Sequence, residues 1–487
     1  MGYSQFGAMI PELIILGLFF MVLLLDVFTR DGSGKKWLTP LTTVLFGLGT
    51  IAIWIIPASG EYVFGGMYVN TAACNAIKAI LNIGVFIVFL QSASWVDSDE
   101  TVIRKGEFYE LLLATLFGMY LMISARHFLL FIIGLETASL PLAALVAFNK
   151  KHYESHEAAI KYILTAVFSS AILLMGLSFV YAFSNGSLYF DDIRTAITSG
   201  SMSGLLIAAL AFMIAGIGFK LSLVPFHLWT ADVYQGAPTA ITSYLSVVSK
   251  GATAFAFFII FVQAFGNVWA DCWEWMMYGV IILTITVGNL FAIRQKNMKR
   301  FMAFSSISQA GYIMLGVMTN GMNSLGMASM LFYIFVYVVS NLGAFAVITA
   351  IENKTGKVGM DDYDGLHKTN PWLSFAMTLA MFSLAGIPPF AGFFSKFMIF
   401  TAVTSASSSW ALYMLVLVAL INTIISLYYY LLVVKAIWIK PGEAKVEAFT
   451  VNAGEKAALW ICVAGIIFFG LVPYIYDYCY NAAATLF

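Results

Sequence analysis

Six charged side chains within or at the edges of long apolar runs of this sequence are candidates for chemistry: Lys78, Glu136, Lys161, Lys220, Lys250 and Lys396. A charge at the centre of a bilayer costs at least about 2.5–3.5 kcal/mol, so each position is a functional hypothesis. The structural alternative is a long side chain that reaches from a helix end to the interface. That alternative, or local pairing, stays open for Lys78 and Lys161, which lie near the starts of their runs. Glu136, Lys220 and Lys250 lie near the centres, which favours a function.

These residue types suit the movement of protons. Burial disfavours the charged form of a lysine and so helps it to release a proton, whereas a nearby carboxylate holds the proton on. Arginine does not deprotonate in proteins, and none stands at the central positions. One acid, Glu136, with Lys220, Lys250 and the intermediate Lys396 therefore predicts a proton path. A static Glu136–Lys220 ion pair is the alternative, but it would leave the other two lysines unexplained.

The composition requires a membrane setting for these charges. Of 487 residues, 61% are hydrophobic and 10% are charged, and the mean hydropathy is +0.89. Soluble proteins carry about 25% charged residues, so a soluble fold and a disordered scaffold are excluded. The formal net charge is zero, which argues against nucleic acid as a partner. This is a polytopic membrane protein.

Nothing in the sequence predicts a cofactor or a metal in this chain. The four cysteines are widely separated and form no CxxC pair, so iron–sulfur clusters and structural zinc are not expected. The sequence shows no strand-like run, and hence no strand followed by a glycine-rich nucleotide fingerprint.

A membrane-crossing helix needs roughly 20 apolar residues. By that measure the sequence predicts an all-α fold of fourteen spans, at about 9–29, 38–57, 72–94, 109–125, 127–148, 161–183, 203–230, 238–265, 274–293, 300–319, 325–350, 372–402, 409–436 and 456–480. The first has no basic residue ahead of it and no small-residue cleavage site, so it is interpreted as a true span.

The basic residues between the spans predict the orientation. Eighteen lie in or beside the odd-numbered connections, and only Arg126 and Arg194 lie in the even-numbered ones. Basic loops stay in the cytoplasm. Both termini are therefore predicted to be periplasmic, in a multi-pass protein of the inner membrane.

Two spans are predicted to be broken. Pro225 follows Lys220, and the pair Pro388-Pro389 precedes Lys396. At membrane depth such breaks persist where they line a wet or protein-filled cavity, and transporters place them in matched halves. Five spans separate the two breaks, which indicates an inverted five-helix repeat. His227 follows Lys220 by seven residues and is a secondary relay candidate, with a core histidine as the alternative.

Long motifs around these residues resemble one known family. Residues 219–238 (FKLSLVPFHLWTADVYQGAP) resemble the seventh helix of the antiporter-like subunits of bacterial proton-pumping NADH:quinone oxidoreductase, respiratory complex I. Residues 135–142 (LETASLPL), 249–250 (SK), 299–312 (with KR and SSISQAGY) and 383–396 (beginning SLAGIP) resemble its fifth, eighth, tenth and twelfth helices. The resemblance covers nearly the whole chain and is closest to the subunit N branch.

The resemblance implies how the chain is divided. Residues 1–108 would form an N-terminal three-helix segment, 109–265 a first five-helix repeat (helices 4–8), 266–436 an inverted second repeat (helices 9–13), and 437–487 the C-terminal helix 14. Each repeat would contain one broken helix. The lysine at position 396 of the twelfth helix, in place of a glutamate, resembles subunits N and L more than subunit M. The lack of a long lateral C-terminal helix disfavours subunit L.

The resemblance also implies a function. The chain would be a proton-translocating membrane-arm subunit of an oxidoreductase, with Glu136, Lys220, Lys250 and Lys396 as its proton axis. Lys161 matches a further lysine of the family, which favours a functional role. The quinone, FMN and iron–sulfur clusters would be bound by partner subunits, and the neighbours would be other antiporter-like and small membrane-arm subunits.

Two residues depart from the family pattern. Ala231 stands where proline is usual before Asp232, and Gln309 stands where many relatives have histidine. Glutamine does not take up a proton at physiological pH. A relay between Lys250 and Lys396 would then need water, with Gln309 as a secondary residue that orients it.

Two other functions remain open at this point. A subunit of a multi-subunit sodium/proton antiporter would share the fold and most of the lysines. A stand-alone secondary transporter would have a midplane substrate site, but the interior charges form a spaced row and not a cluster around one pocket.

Overall fold

A computed structural model describes residues 3–29, 35, 37–98, 104–199, 204–268, 272–320, 324–440 and 443–486. Arg30 and Lys36, two of the eighteen basic residues of the odd-numbered connections, and Phe487 lie outside the described residues. The chain is predominantly helical within the described ranges, which confirms the predicted all-α membrane fold.

The helices follow one another with short connections. In chain order they are α1 (Ile10–Phe28), α2 (Leu38–Ile55), α3 (Ala72–Val96), α4 (Lys105–Ser124), α5 (Phe128–Val146), α6 (Tyr153–Phe183), α7 (Phe190–Ser199), α8 (Gly204–Leu221), α9 (Leu228–Gly236), α10 (Thr239–Tyr244), α11 (Lys250–Gln263), α12 (Glu274–Ala292), α13 (Met298–Met314), α14 (Ser324–Thr355), α15 (Pro371–Ala385), α16 (Ala391–Ala406), α17 (Trp410–Trp438), α18 (Ala453–Leu471) and α19 (Tyr474–Ala483).

Fourteen crossings can be traced through the described residues. Thirteen helical stretches are long and apolar enough to cross a membrane, and one of them, Thr239–Gln263, joins α10 to α11 through a π-helical turn. The fourteenth crossing is made by the two shorter apolar helices α15 and α16. An even number of crossings places both ends of the chain on the same side of the membrane.

Three local features differ from the sequence prediction. The predicted last span 456–480 is wrong at its end, because α18 stops at Leu471 and α19 begins after Pro473, which cannot continue a helix. A two-residue antiparallel hairpin, Tyr62–Val63 with Tyr68–Val69, contradicts the expectation of no strand. The third feature, α7, is a short amphipathic helix that a search for 20 apolar residues cannot find.

The breaks predicted at Pro225 and at Pro388-Pro389 are confirmed, and both begin in the same way. The residue directly after α8 and the residue directly after α15 have left-handed conformation: Ser222 with φ 60° and Gly386 with φ 86°. In each case the next backbone N–H donates back to the helix, at 2.8 Å and 3.0 Å, in the pattern of a Schellman cap. Since the two broken spans are five crossings apart, they run in opposite directions.

The division into 1–108, 109–265, 266–436 and 437–487 stays a prediction, but the packing shows where the core is. The membrane windows of Thr239–Gln263, Met298–Thr319 and Ser324–Thr355 are completely buried, whereas only about a third of those of α1, α6 and α17 is. The central helices α10–α11, α13 and α14 are thus shielded from lipid.

Candidate functional site

Lys220 lies in the last turn of α8, just before the first break. Its side chain is buried, and its Nζ donates to the hydroxyl of Tyr162 on α6 at 2.9 Å. The ring of Tyr162 in turn packs edge-on against Trp229 of α9, with 5.3 Å between the ring centres. The lysine is therefore held by neutral groups.

Glu136 lies in the middle of α5 and is half-buried. Its Oε1 accepts a hydrogen bond from Ser170 of α6 at 2.6 Å. Among the described residues no salt bridge joins it to Lys220, so the static ion pair considered from the sequence is not formed. Ser170 follows Tyr162 by eight residues, or about 12 Å of helix rise, so the acid and the lysine contact α6 at different depths.

Lys250 begins α11, directly after the π-helical turn Leu245–Ser249. Such turns frequently mark functional positions in helices. The lysine is buried, its Nζ donates to Ser306 Oγ of α13 at 2.8 Å, and it lies 5.6 Å from the ring centre of Tyr234. Here too all the observed partners are neutral.

Lys396 lies on α16 and reaches back across the second break. Its Nζ donates to the backbone carbonyls of Leu384 and Ala385, at 2.9 Å and 3.0 Å, and lies 5.2 Å from the ring centre of Tyr312. The last carbonyls of a helix carry its negative dipole end, which stabilises a nearby cation. The C-terminus of α15 thus takes the place of a carboxylate. We call Lys220, Lys250 and Lys396 the lysine row.

Gln309 of α13 is joined directly to the second break. Its Nε2 donates to the Leu384 carbonyl at 3.3 Å, which Lys396 also contacts, and to the Tyr430 hydroxyl at 3.2 Å. Its Oε1 accepts from the hydroxyl of Tyr333. A small cavity with room for about one water molecule lies between Gln309, Tyr333 and Lys396. The role of Gln309 in orienting a relay water between Lys250 and Lys396 stays a prediction.

Lys161 is not part of the row. Its side chain is 42% exposed at the beginning of α6, where it forms salt bridges with Glu157 at 2.8 Å and with Asp232 of α9 at 2.7 Å. Arg300 of α13 contacts the other oxygen of Asp232 at 2.7 Å. Partial burial opposes ionisation of Asp232, but the hydrogen bonds from Lys161 and Arg300 outweigh it and lower the pKa of this carboxyl.

His227 immediately precedes α9, and its side chain is buried. Its Nδ1 has no hydrogen-bond partner among the described residues, and none of their hydrogen bonds joins it to Lys220. The relay role proposed for it from the sequence stays a prediction.

Lys78 forms a buried salt bridge, so of the alternatives that the sequence left open for this lysine the structure shows pairing. It is completely buried, with its Nζ 2.6 Å from Glu12 Oε1 and 2.9 Å from Asn70 Oδ1.

The sequence analysis missed Glu12, although this charged residue lies within the predicted span 9–29. Tyr162, Ser306 and Tyr430 were also missed, since their partners are distant in sequence and ordinary hydroxyls give no signal.

An open vestibule of about 510 Å³ lies at the end of the molecule that carries the basic loops. Its wall includes Thr239, Lys299 and Glu352, and Glu352 contacts the other two. Buried polar pairs continue from it toward Lys250 along one segment of chain: Ser243 with Gln91 at 2.6 Å and Ser246 with Asn341 at 2.8 Å. The arrangement provides hydrogen-bonding groups from the vestibule to the row.

Comparison with known proteins shows the family. Residues 125–425 match the family described as NADH:quinone oxidoreductase/Mrp antiporter, TM. The chain is 49% identical over 468 residues to NADH-quinone oxidoreductase subunit N of Phocaeicola vulgatus, covering 96% of each chain. It is 47% identical over 482 residues to the same subunit of Azobacteroides pseudotrichonymphae, covering 98% of each.

Solved structures have the same fold. A chain of respiratory complex I from Thermus thermophilus with bound aureothin superimposes with a TM-score of 0.78 and 29% identity, over 95% of this chain and 97% of that one. A chain of the Mrp complex of a Dietzia species gives a TM-score of 0.80 at 20% identity, over 100% and 98%, which shows a shared fold alone. The chain therefore belongs to the NADH-quinone oxidoreductase subunit N family.

Proposed function

We propose that the chain is a proton-translocating membrane-arm subunit of NADH:quinone oxidoreductase. Protons move between Glu136 and the lysine row, and quinone reduction in partner subunits drives them. The chain contributes to an enzyme without carrying a redox centre of its own.

One observation carries this proposal: the buried lysines fall into two classes. Seven lysines of the described residues are buried, and four of them form salt bridges with carboxylates, namely Lys35, Lys78, Lys105 and Lys299. The other three are the lysine row, for which the described residues provide hydroxyl and carbonyl partners and no salt bridge. The two classes are thus equally buried but differently paired.

The difference decides which lysines can exchange a proton. A carboxylate in contact with a lysine favours the protonated lysine, so each salt-bridged lysine holds its proton. The effect is strongest for Lys78, because its partner Glu12 is also buried and would be left without its counter-charge. Taking the proton from a lysine of the row leaves a neutral amine among hydroxyls and carbonyls. The row can therefore change charge at the smaller cost, and the paired lysines remain fixed.

Protons enter through the vestibule beside Glu352, and the polar pairs at Ser243 and Ser246 pass them toward Lys250. The row then distributes them toward Lys220 in one direction and toward Lys396, through Gln309 and its water site, in the other. Bridging waters transmit hydrogen bonds nearly as well as direct contacts, so gaps in the chain of side chains do not prevent transfer.

Protons suit this row better than sodium ions. A fixed ammonium repels a second cation in a medium of low dielectric constant, whereas it can itself gain and lose a proton. The relatives that are nearly half identical over their whole length are named as quinone oxidoreductase subunits, which favours that assembly over an antiporter complex.

The same proposal includes the setting. The chain lies in the cytoplasmic membrane with both termini periplasmic, beside antiporter-like and small membrane-arm subunits. The quinone, FMN and iron–sulfur clusters are bound by partner subunits of the complex. A reporter that is active only in the cytoplasm, fused after Phe487, is expected to be silent. Activity of that fusion would contradict the orientation.

The test of function is proton pumping by the assembled complex in vesicles, driven by NADH and measured with subunit content on the same preparation. Lys396→Ala removes a buried charge and leaves the helix backbone intact, so we expect assembled complex with impaired pumping. Normal pumping by this variant would remove Lys396 from the path.

A further inference from the structure

The short helix α9 lies between two members of the lysine row. At its first turn, Trp229 packs on Tyr162, the residue that holds Lys220. At its last turn, the ring of Tyr234 lies 5.6 Å from Lys250 Nζ. One nine-residue helix therefore fixes an aromatic contact at each of two lysine sites.

This helix is not a rigid continuation of α8. Residues 222–227 separate the two helices, and Ser222 in this break has left-handed backbone. The orientation of α9 therefore depends on contacts to other elements. The indole of Trp229 donates to the Phe219 carbonyl at 3.0 Å, which fixes the end next to the break.

Asp232 provides ionic contacts on the middle of α9. Its two carboxylate oxygens accept from Lys161 of α6 and from Arg300 of α13, each at 2.7 Å. Arg300 also donates to Gln235, one turn further along α9, at 3.2 Å. A single carboxylate thus connects α9 to two other helices, α6 and α13.

The exposure of these groups indicates what the ties do. The side chains of Asp232, Lys161 and Arg300 are 35%, 42% and 34% exposed. Ion pairs this exposed add little to the free energy of unfolding, so the subunit should still fold without them. Their effect is local: they hold α9 against α6 and α13, and so keep the contacts of Trp229 and Tyr234.

We propose that Asp232 is a positioning residue for proton transfer: with Lys161 and Arg300 it holds α9 so that Lys220 and Lys250 keep their aromatic partners. This inference rests on the proposed function of the row. It assigns Lys161 a role at the edge of the membrane, outside the row itself.

The test compares Asp232→Asn with Asp232→Glu in the assembled complex, in vesicles driven by NADH. Asparagine keeps the size and loses the charge, and we expect the pumping rate per assembled complex to fall by about tenfold, since small misplacements of transfer groups have large effects on rate. The KM for quinone should not change. Asp232→Glu should restore most of the rate, because it keeps the charge.

The matched control is Asp364→Asn. Asp364 is also bound by two lysines, Lys440 at 3.0 Å and Lys445 at 3.5 Å, but it lies in the connection between α14 and α15, at neither break. We expect this variant to assemble and to pump at the rate of the parent. A loss of pumping equal to that of Asp232→Asn would show a general effect of surface charge and overturn the proposal.

Two further outcomes would also overturn it. One is a parental pumping rate per assembled complex in Asp232→Asn, whether or not the amount of complex falls. The other is a failure of Asp232→Glu to pump better than Asp232→Asn. Lys250→Ala, measured in parallel, distinguishes a failure of the proposed function from a failure of the positioning role. Normal pumping by Lys250→Ala contradicts the proposed function. Impaired pumping by Lys250→Ala together with normal pumping by Asp232→Asn contradicts only the positioning role.

Discussion

The two broken helices carry their lysines on opposite sides of the break. Lys220 precedes the first break and is held by the Tyr162 hydroxyl of α6, the helix whose Ser170 also contacts Glu136. Lys396 follows the second break and folds back onto the free carbonyls of Leu384 and Ala385. Similar caps thus lead to different ways of holding a charge.

The difference shows how a membrane protein can stabilise a cation without fixing it. At the second break the negative end of α15 does what a carboxylate would otherwise do, and it cannot be titrated away. At the first break the acid is held by Ser170 and does not contact the lysine. The two sites should therefore respond differently to the loss of an acid and to changes in the backbone.

Among the variants that compare the two breaks, the largest effect is expected from Glu136→Gln, on the side of the first break. Glu136→Gln keeps the hydrogen bond to Ser170 but removes the negative charge that favours protonated Lys220. We expect proton pumping to fall by about tenfold, at the lower end of the range for proton-transfer groups, and Glu136→Asp to retain part of it. Unchanged turnover and proton uptake in fully assembled Glu136→Gln would mean that the acid is not needed there.

A smaller effect is expected from Gln309 at the second break. Gln309→Leu removes the acceptor of the Tyr333 hydroxyl, and an unpaired buried group of this kind costs about 1–3 kcal/mol. The Tyr430 hydroxyl and the Leu384 carbonyl lose one partner each but keep Ser305 and Lys396. We expect slower transfer between Lys250 and Lys396, by a few-fold. Gln309→His should be tolerated, since it restores a titratable group.

The control for this prediction is Lys396→Ala on the same preparation. If Gln309→Leu pumps normally while Lys396→Ala does not, Lys250 and Lys396 are not joined through position 309, and the row is not continuous.

The smallest effect distinguishes the two caps. Gly386→Ala places a Cβ 3.1 Å from Lys396 Cδ at a left-handed position, so we expect a loss of roughly 1–2 kcal/mol. Ser222→Gly relieves the same kind of backbone cost at the first break and should be neutral or stabilising. The measurement is thermal unfolding of the purified complex, with loss of structure in this subunit as the signal, compared for Gly386→Ala, Ser222→Gly and the parent. A stabilised Gly386→Ala would contradict the cap geometry.

The sequence predicted the positions of the row because charge at membrane depth is rare and easily recognised. It also predicted the breaks, since proline has few roles inside a span. It did not predict the partners Tyr162, Ser306 and Tyr430, because a hydroxyl in a membrane helix has no distinctive pattern. Nor could it separate row lysines from paired ones such as Lys78, because pairing depends on helices that are distant in sequence.

The end of the last predicted span shows a different limitation. Residues 456–480 are apolar enough to continue, so hydropathy alone does not locate the stop at Leu471. Pro473 was visible but was not weighed. Lys161 shows a limitation of the resemblance. The resemblance favoured a functional role for this lysine but did not indicate its surroundings, and the structure places it half-exposed, in contact with Asp232.

The central claim is that buried lysines with neutral partners move protons and buried lysines with carboxylate partners do not. It is tested most directly by making the same substitution in one residue of each class. Lys250→Met removes a member of the row, and Lys105→Met removes an equally buried lysine whose partner, Asp97, is 45% exposed and stays solvated. NADH-driven proton uptake by vesicles, per assembled complex, should be lost in Lys250→Met and kept in Lys105→Met. Normal uptake by Lys250→Met, or equal loss in both variants, would contradict the account.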